Sequence, residues 1–235
     1  MRVLCAFVAV AVLVGVASAE ANNYCFDDVS SKCSARASGE EAAIPNCNAK
    51  YGAVEKVSEE ISDYVNKHIS RSFQYLLMST HFGSYQANRP GFEKLYRVLS
   101  DEAWAASFDL IKHLTKRGGK MNFSYHQKEN LADSGEAKKE VYELYELQSL
   151  ARALDIQKSL AGQAFHIHHS VSGKDSKHHD PELSQFFEER FIEKHADTIR
   201  NLAGHTSDLK NLLLTSDSSL NVFLFDDYLH KKLSG

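Results

Sequence analysis

Four stretches of this chain carry apolar residues at three- and four-residue spacing over many turns, the pattern of long amphipathic helices. From about Tyr51 to Phe82 the stripe runs Val54, Val57, Ile61, Tyr64, Val65, Tyr75, Leu76 and Ser79. Pro90, within Arg89-Pro90-Gly91, suits the opening turn of a second helix with Phe92, Leu95, Leu99, Ala103, Ala106, Leu110 and Leu114 on one face. Gly118-Gly119 ends it. A third helix is predicted over roughly Gly135 to His169, on Leu144, Leu147, Leu150, Leu154, Ala161 and Phe165. Ser170 to Asp180 reads as a loop. Pro181 opens a fourth helix striped by Phe187, Phe191, Ile199 and Leu202, which is expected to end near Ala203-Gly204. A short fifth segment covers Leu220 to Leu229. No run has the alternation of a strand, so the fold class is all-α.

Connection lengths carry the topology. The links near Gly83 to Gly91 and Ser170 to Asp180 are short, which makes the helices they join antiparallel neighbours. The middle link, Gly118 to about Ser134, has roughly 17 residues and reaches about 55 Å, while a 27-residue helix is about 40 Å long. It can run the length of a bundle and leave helices two and three parallel. One long crossover is the pattern of ferritin-like bundles, whereas cytokine bundles use two.

At 235 residues the chain has room for one domain with a full core. Arg2 precedes an apolar run from Val3 to Val16, and Ala17-Ser18-Ala19 has the small-x-small pattern of signal-peptidase sites. Residues 1–19 therefore read as a signal peptide, too short to anchor the chain in a membrane. Secretion is the expected fate. Losing Arg2 moves the formal charge from −4 to −5. An acidic chain without a basic, aromatic-interleaved run is a poor partner for nucleic acid.

Of the 4 cysteines, Cys5 leaves with the leader. Cys25, Cys33 and Cys47 remain in a cysteine-bearing extension, 20–48, ahead of the helical domain, 49–235. Three is odd. One intrachain bridge leaves one thiol, for a bond to another chain or as a buried or free cysteine, and sequence alone does not say which pair closes. Asn122-Phe123-Ser124 is a glycosylation sequon.

Ser72-Phe73-Gln74-Tyr75-Leu76-Leu77-Met78-Ser79, Arg117-Gly118-Gly119, Asp180-Pro181-Glu182-Leu183-Ser184-Gln185-Phe186 and Phe223-Leu224-Phe225-Asp226 stand in the order and spacing of the ferritin family. The chain resembles that family over most of Ala49 to Leu229. With its leader and cysteine-bearing extension, it most resembles the light-chain type of the insect secreted ferritins. The resemblance implies a four-helix bundle with one long crossover and a short C-terminal helix. It also implies a 24-subunit shell shared with a ferroxidase heavy chain, and iron held as ferric mineral.

Ferroxidase-active members hold two irons between the helices with glutamates and one histidine, beside a nearby tyrosine and glutamine, because carboxylates neutralise two hard cations. At those positions this chain has His68, Ala103, Ala106, Gln157 and His195, and only Tyr75 matches. No Glu is followed by His three residues later. The expectation is a subunit without a di-iron centre, not an enzyme. The resemblance places His168 and Glu188 on the channel where three subunits meet, with Gln185 at the aspartate position. His166, His169, His178 and His179 crowd nearby. Mineral nucleation needs acids on the inward face of the second helix. Asp101 and Glu102 are the candidates there, although Lys94, Arg97 and Val98 replace carboxylates of vertebrate light chains. Two other readings stay open: a ferroxidase built on His68, His195 and Tyr75, and a secreted monomeric helical signalling protein.

Overall fold

The computed structural model describes residues 24–33, 47–123, 144–173, 179–214 and 217–234. The expected leader, Ser124 of the sequon, the helix start read at Gly135 and His178 lie outside them. The chain divides into two units, Met1–Asn48 and Ala49–Gly235. In the first, a helix that apolar spacing does not announce, α1 (Cys25–Cys33), opens with Asp27 and Asp28, acids that suit the positive end of a helix. A Cys25–Cys47 disulfide closes it, with Cα atoms 4.6 Å apart.

The second unit is built of four rods. They are α2 (Val54–Phe82), α3 (Pro90–Lys116), α4 (Glu146–Ser172), and a fourth made of α5 (Pro181–Phe187), a π-helical turn (Glu188–Ile192) and α6 (Glu193–Leu213). A fifth helix, α7 (Ser218–Lys232), packs on α3 and α6. No strand occurs among the described residues.

Side-chain contacts fix the directions of the rods. Ser72 and Ser100 each donate a hydroxyl to the other's carbonyl at 2.9 Å, and Ser79 donates to the Glu93 carbonyl, so α2 and α3 lie close and antiparallel. Tyr75 reaches the Ala153 carbonyl at 3.2 Å and Ser170 reaches Glu60 at 3.2 Å, which sets α4 antiparallel to α2. The Tyr96 hydroxyl donates to Ser149 at 2.6 Å, joining the early turns of α3 and α4. Helices α3 and α4 are therefore parallel, so the end of α3 and the start of α4 lie at opposite ends of the bundle, as the connection lengths predict.

Several boundaries differ from the sequence reading. Helix α2 begins at Val54 rather than Tyr51, and α4 begins at Glu146 and continues through Ser172 into the expected loop. The fourth rod does not stop at Ala203-Gly204 but runs to Leu213, because Leu202, His205 and Leu209 keep burying one face beyond the glycine. The C-terminal helix covers Ser218–Lys232, longer than Leu220 to Leu229. Phe165 is 56% exposed, since Ala161, Ala164 and Ile167 form the buried stripe and Phe165 turns away from it.

Acidic side chains hold the helix ends. Asp180 caps α5 by accepting the Leu183 N–H at 3.2 Å, while its second oxygen takes the Ala53 N–H at 3.0 Å at the start of α2. Asp226 of α7 accepts the Phe92 N–H at 3.0 Å at the N-terminus of α3. There Gly91 has no room for a side chain, because an added Cβ would lie 2.0 Å from the Asp226 carbonyl oxygen. At the far end of α3, Gly118 takes φ +77 and the Gly119 N–H returns to the Leu114 carbonyl, a left-handed glycine stop.

Candidate functional site between the four rods

All four rods contribute to a polar centre at mid-bundle. His68 projects from α2, Ala103 and Ala106 from α3, Gln157 from α4 and His195 from α6, so the structure gathers the positions that the resemblance assigns to metal ligands. The imidazoles of His68 and His195 stack, with centroids 5.8 Å apart and planes 25° apart.

Hydrogen bonds order most of the centre. Gln157 Oε1 lies 2.9 Å from His195 Nδ1, and the Tyr64 hydroxyl lies 2.8 Å from His195 Nε2. Gln157 Nε2 donates to the Tyr75 hydroxyl at 3.2 Å, and Tyr75 donates to the Ala153 carbonyl. A carboxamide oxygen only accepts, so His195 carries its proton on Nδ1 and its Nε2 accepts from Tyr64. Every member of the relay is satisfied in its neutral form. Burial lowers the His195 pKa to about 4 and that of His68 to about 3, with repulsion from His195 adding to the second shift. Burial also raises the Tyr64 and Tyr75 phenols above their ordinary value, so neither ionises near neutrality.

Tyr64 is absent from the sequence reading of this site, although it stands one turn before His68 on the same stripe. The histidines bond neither to each other nor to Tyr75. His195 is held by Tyr64 and Gln157, and His68 by no hydrogen bond.

Beside the relay lies a pocket of about 440 Å³ between α3, α4 and the fourth rod, opened by the small Ala103, Ala105 and Ala106. Glu102, Asp109, Asp197, Arg190 and Lys194 border it. Burial at that border raises the Glu102 pKa, with Lys194 acting against the rise. The donors at the ligand positions are two imidazoles and a carboxamide, with the Tyr75 phenol near them. That set does not fit a di-iron centre, because two hard cations there would lack anionic oxygen. Among the described residues no group of three or more His, Cys, Asp or Glu side chains is placed to hold a metal ion.

The remaining candidates lie elsewhere. Asp101 is exposed and paired with Arg97 at 3.2 Å, and unlike Glu102 it does not line the pocket. His168 Nε2 meets Glu188 at 2.7 Å and Ser184 at 2.8 Å, which brings the two channel candidates together across α4 and the π turn. Exposed Gln185 donates to Glu189 at 2.7 Å. Asn122 is exposed, and its carbonyl accepts from Asn66 at 2.9 Å.

Two antiparallel helix pairs joined by one lengthwise crossover, with polar groups converging from all four rods, define the ferritin-like class of bundle. The family model for the ferritin-like domain matches residues 58–212, and the chain belongs to the ferritin family. It is 44% identical to the ferritin light chain of Trichoplusia ni, over 95% of this chain and 96% of that one. It is 40% identical to the ferritin light chain of Drosophila melanogaster, over 99% and 100%. The crystal structure of Trichoplusia ni secreted ferritin superposes with a TM-score of 0.77 at 45% identity, covering 89% of this chain and 99% of that one.

Proposed function

We propose that this chain is the non-catalytic, light-chain-type subunit of a secreted ferritin shell that stores and transports iron as ferric mineral. It co-assembles with a ferroxidase heavy chain into a 24-subunit particle. One observation carries the reading: the mid-bundle centre is uncharged, and the groups at its ligand positions are His68, Ala103, Ala106, Gln157 and His195. Iron oxidation falls to the partner chain, and this subunit holds no di-iron centre.

The other parts of the reading rest on separate residues. Residues 1–19 are the leader that sends the chain into the secretory pathway, 20–48 the extension and 49–235 the ferritin domain. No helix among the described residues is long and apolar enough to cross a membrane. With Cys25 and Cys47 bridged, Cys33 is the cysteine left to tie this chain to its heavy-chain partner. Asn122 takes the glycan. His168 and Glu188 border the three-fold channel, and Asp101 and Glu102 offer the inward carboxylates for nucleation.

Stopped-flow measurement of Fe²⁺ oxidation tests the reading. Particles of this subunit alone are expected to oxidise iron no faster than buffer, and saturable oxidation by them would refute the assignment. The converse is a graft of His68→Glu, Ala103→Glu, Ala106→His and Gln157→Glu, which supplies the absent anionic cage and is expected to create saturable oxidation. Mass spectrometry without reducing agent should find Cys33 in a cross-link to a second chain type.

A further inference from the structure

One core side chain is unanswered by its surroundings. His68 is 2% exposed and neither ring nitrogen has a hydrogen-bond partner among the described residues. Buried polar groups nearly always have one, and an exception points to strain, an enclosed water or a bound group. His68 also borders the 440 Å³ pocket. The two observations are independent and coincide in one place.

The pocket's chemistry narrows the occupant. Its inner wall is apolar, formed by Leu99, Ala103, Ala106, Leu160 and Phe191. Its border carries three acids against two bases, which gives an anion no net attraction. Cations fare no better, since the inner end offers neutral imidazole and no anionic oxygen. An apolar cavity of about 150 Å³ already accommodates benzene, and ligand pockets commonly measure about 300–1,000 Å³. There is room here for one substituted aromatic ring.

The protein itself shows what an imidazole in this core accepts: a phenol, in the 2.8 Å contact between Tyr64 and His195. His68 stacks on His195 and meets Phe191 edge-on at 5.8 Å. We propose that the pocket beside His68 binds small uncharged phenols, the ring lying against Leu99, Leu160 and Phe191 and the hydroxyl donating to His68 as Tyr64 donates to His195. The His68 nitrogens have almost no exposed area, so binding turns the ring about its soft Cβ–Cγ torsion toward the cavity.

Titration calorimetry of phenol into the full chain, free of iron, tests the proposal independently of any oxidation chemistry. Saturable binding at one site per chain is expected. Two variants attack it from opposite sides. His68→Phe keeps the volume and removes the acceptor, and Ala106→Leu fills the cavity and keeps His68. Each should weaken phenol binding at least tenfold while helicity and particle size stay unchanged, with Ala103→Leu replacing the second if it misfolds. Benzene, which has no hydroxyl, should be indifferent to His68→Phe and excluded by Ala106→Leu. Absence of saturable phenol binding, or phenol binding indifferent to His68→Phe, overturns the proposal. So does Zn²⁺ that binds saturably, displaces phenol and depends on His68, because the site would then take a metal.

Discussion

Two of the places where the bundle buries polar side chains manage them in opposite ways. At mid-bundle, Tyr64, His195, Gln157 and Tyr75 form a relay of neutral groups. At the end where α3 finishes and α5 begins, the polar groups are ionic. Arg117, 1% exposed, donates to Asp180 at 2.7 Å, to Glu182 and to the Tyr51 carbonyl at 2.9 Å, and lies 3.9 Å from the centroid of the Tyr51 ring. His113 stacks on Phe186 and meets Glu182 at 2.9 Å. Burial pushes the Asp180 and Glu182 pKa values up. Hydrogen bonds outweigh it, from Arg117, Ala53 and Leu183 to Asp180 and from His113 and Arg117 to Glu182, so both sit below their ordinary range. Between these two regions the contrast is in the counter-ion: Arg117 and Asp180 are buried as a fixed pair, and at mid-bundle, where no counter-ion is supplied, the groups are neutral.

Breaking the ionic end should have the largest effect. Arg117→Met keeps much of the side chain's bulk and leaves Asp180 buried without its counter-ion, a change that costs about 3–5 kcal/mol. Urea denaturation at neutral pH measures it. A loss below 1 kcal/mol would mean that water reaches Asp180 and that the two ends of the comparison are not different in kind.

Acid separates the two regions by the pH at which each fails. Folded His195 and His68 have pKa values of about 4 and 3, below the 6.5 of an unfolded imidazole, so below pH 6.5 the unfolded chain binds more protons. Their contribution is complete above 6.5 and is lost as pH falls toward 4 and then 3, on the order of a few kcal/mol in all. Asp180 and Glu182 behave differently. Their depressed carboxyl values give stability that is complete above the unfolded carboxylate range, near 4, and lost only below it. The urea midpoint of the native chain should therefore already decline between pH 6.5 and 4.5, whereas His68→Phe with His195→Gln should decline less in that interval, where His205, also lowered by burial, still titrates, and should still fail below 4.

A single hydroxyl tests the relay. Tyr64→Phe leaves His195 Nε2 buried without a donor, which should cost about 1–3 kcal/mol. The same change should leave the acid failure below pH 4 untouched, since Asp180 and Glu182 are not its partners. A thermal scan at neutral pH and one at pH 3.5 read both halves of this expectation.

The four rods were legible because three-and-four spacing over seven turns has no competing explanation, and the crossover because chain length bounds reach. Legibility failed where one residue was read without its surroundings. Gly204 looks like a stop, yet it faces open space, with no atom within 4 Å of an added Cβ, while Leu202 and Leu209 on the buried face carry the helix past it. The π turn at Glu188–Ile192 inserts a residue that periodicity cannot register, and it carries Glu188 toward His168. At the site, residue types told which ligands were lacking. They did not tell what replaced them, because Tyr64 enters the relay through a contact 131 positions away in sequence. The Arg117 cluster was visible only as part of an Arg-Gly-Gly motif, since its partners arrive with the start of α5.

The smallest expected effect concerns charge that neither region buries. Arg97 and Asp101 pair at 3.2 Å one turn apart on α3, both more than half exposed, and such pairs contribute about 0.3–0.5 kcal/mol. Arg97→Ala should therefore leave the urea midpoint almost unmoved. Its use lies in what it frees. Asp101 loses its cation and faces solvent as a bare carboxylate, so if Asp101 seeds mineral, heteropolymers carrying Arg97→Ala should mineralise faster, and adding Asp101→Ala should abolish the gain. A rise that survives the second substitution would assign the effect to the lost positive charge alone. An unchanged rate in both would take Asp101 out of nucleation and leave Glu102, at the pocket border, as the inward acid to test next.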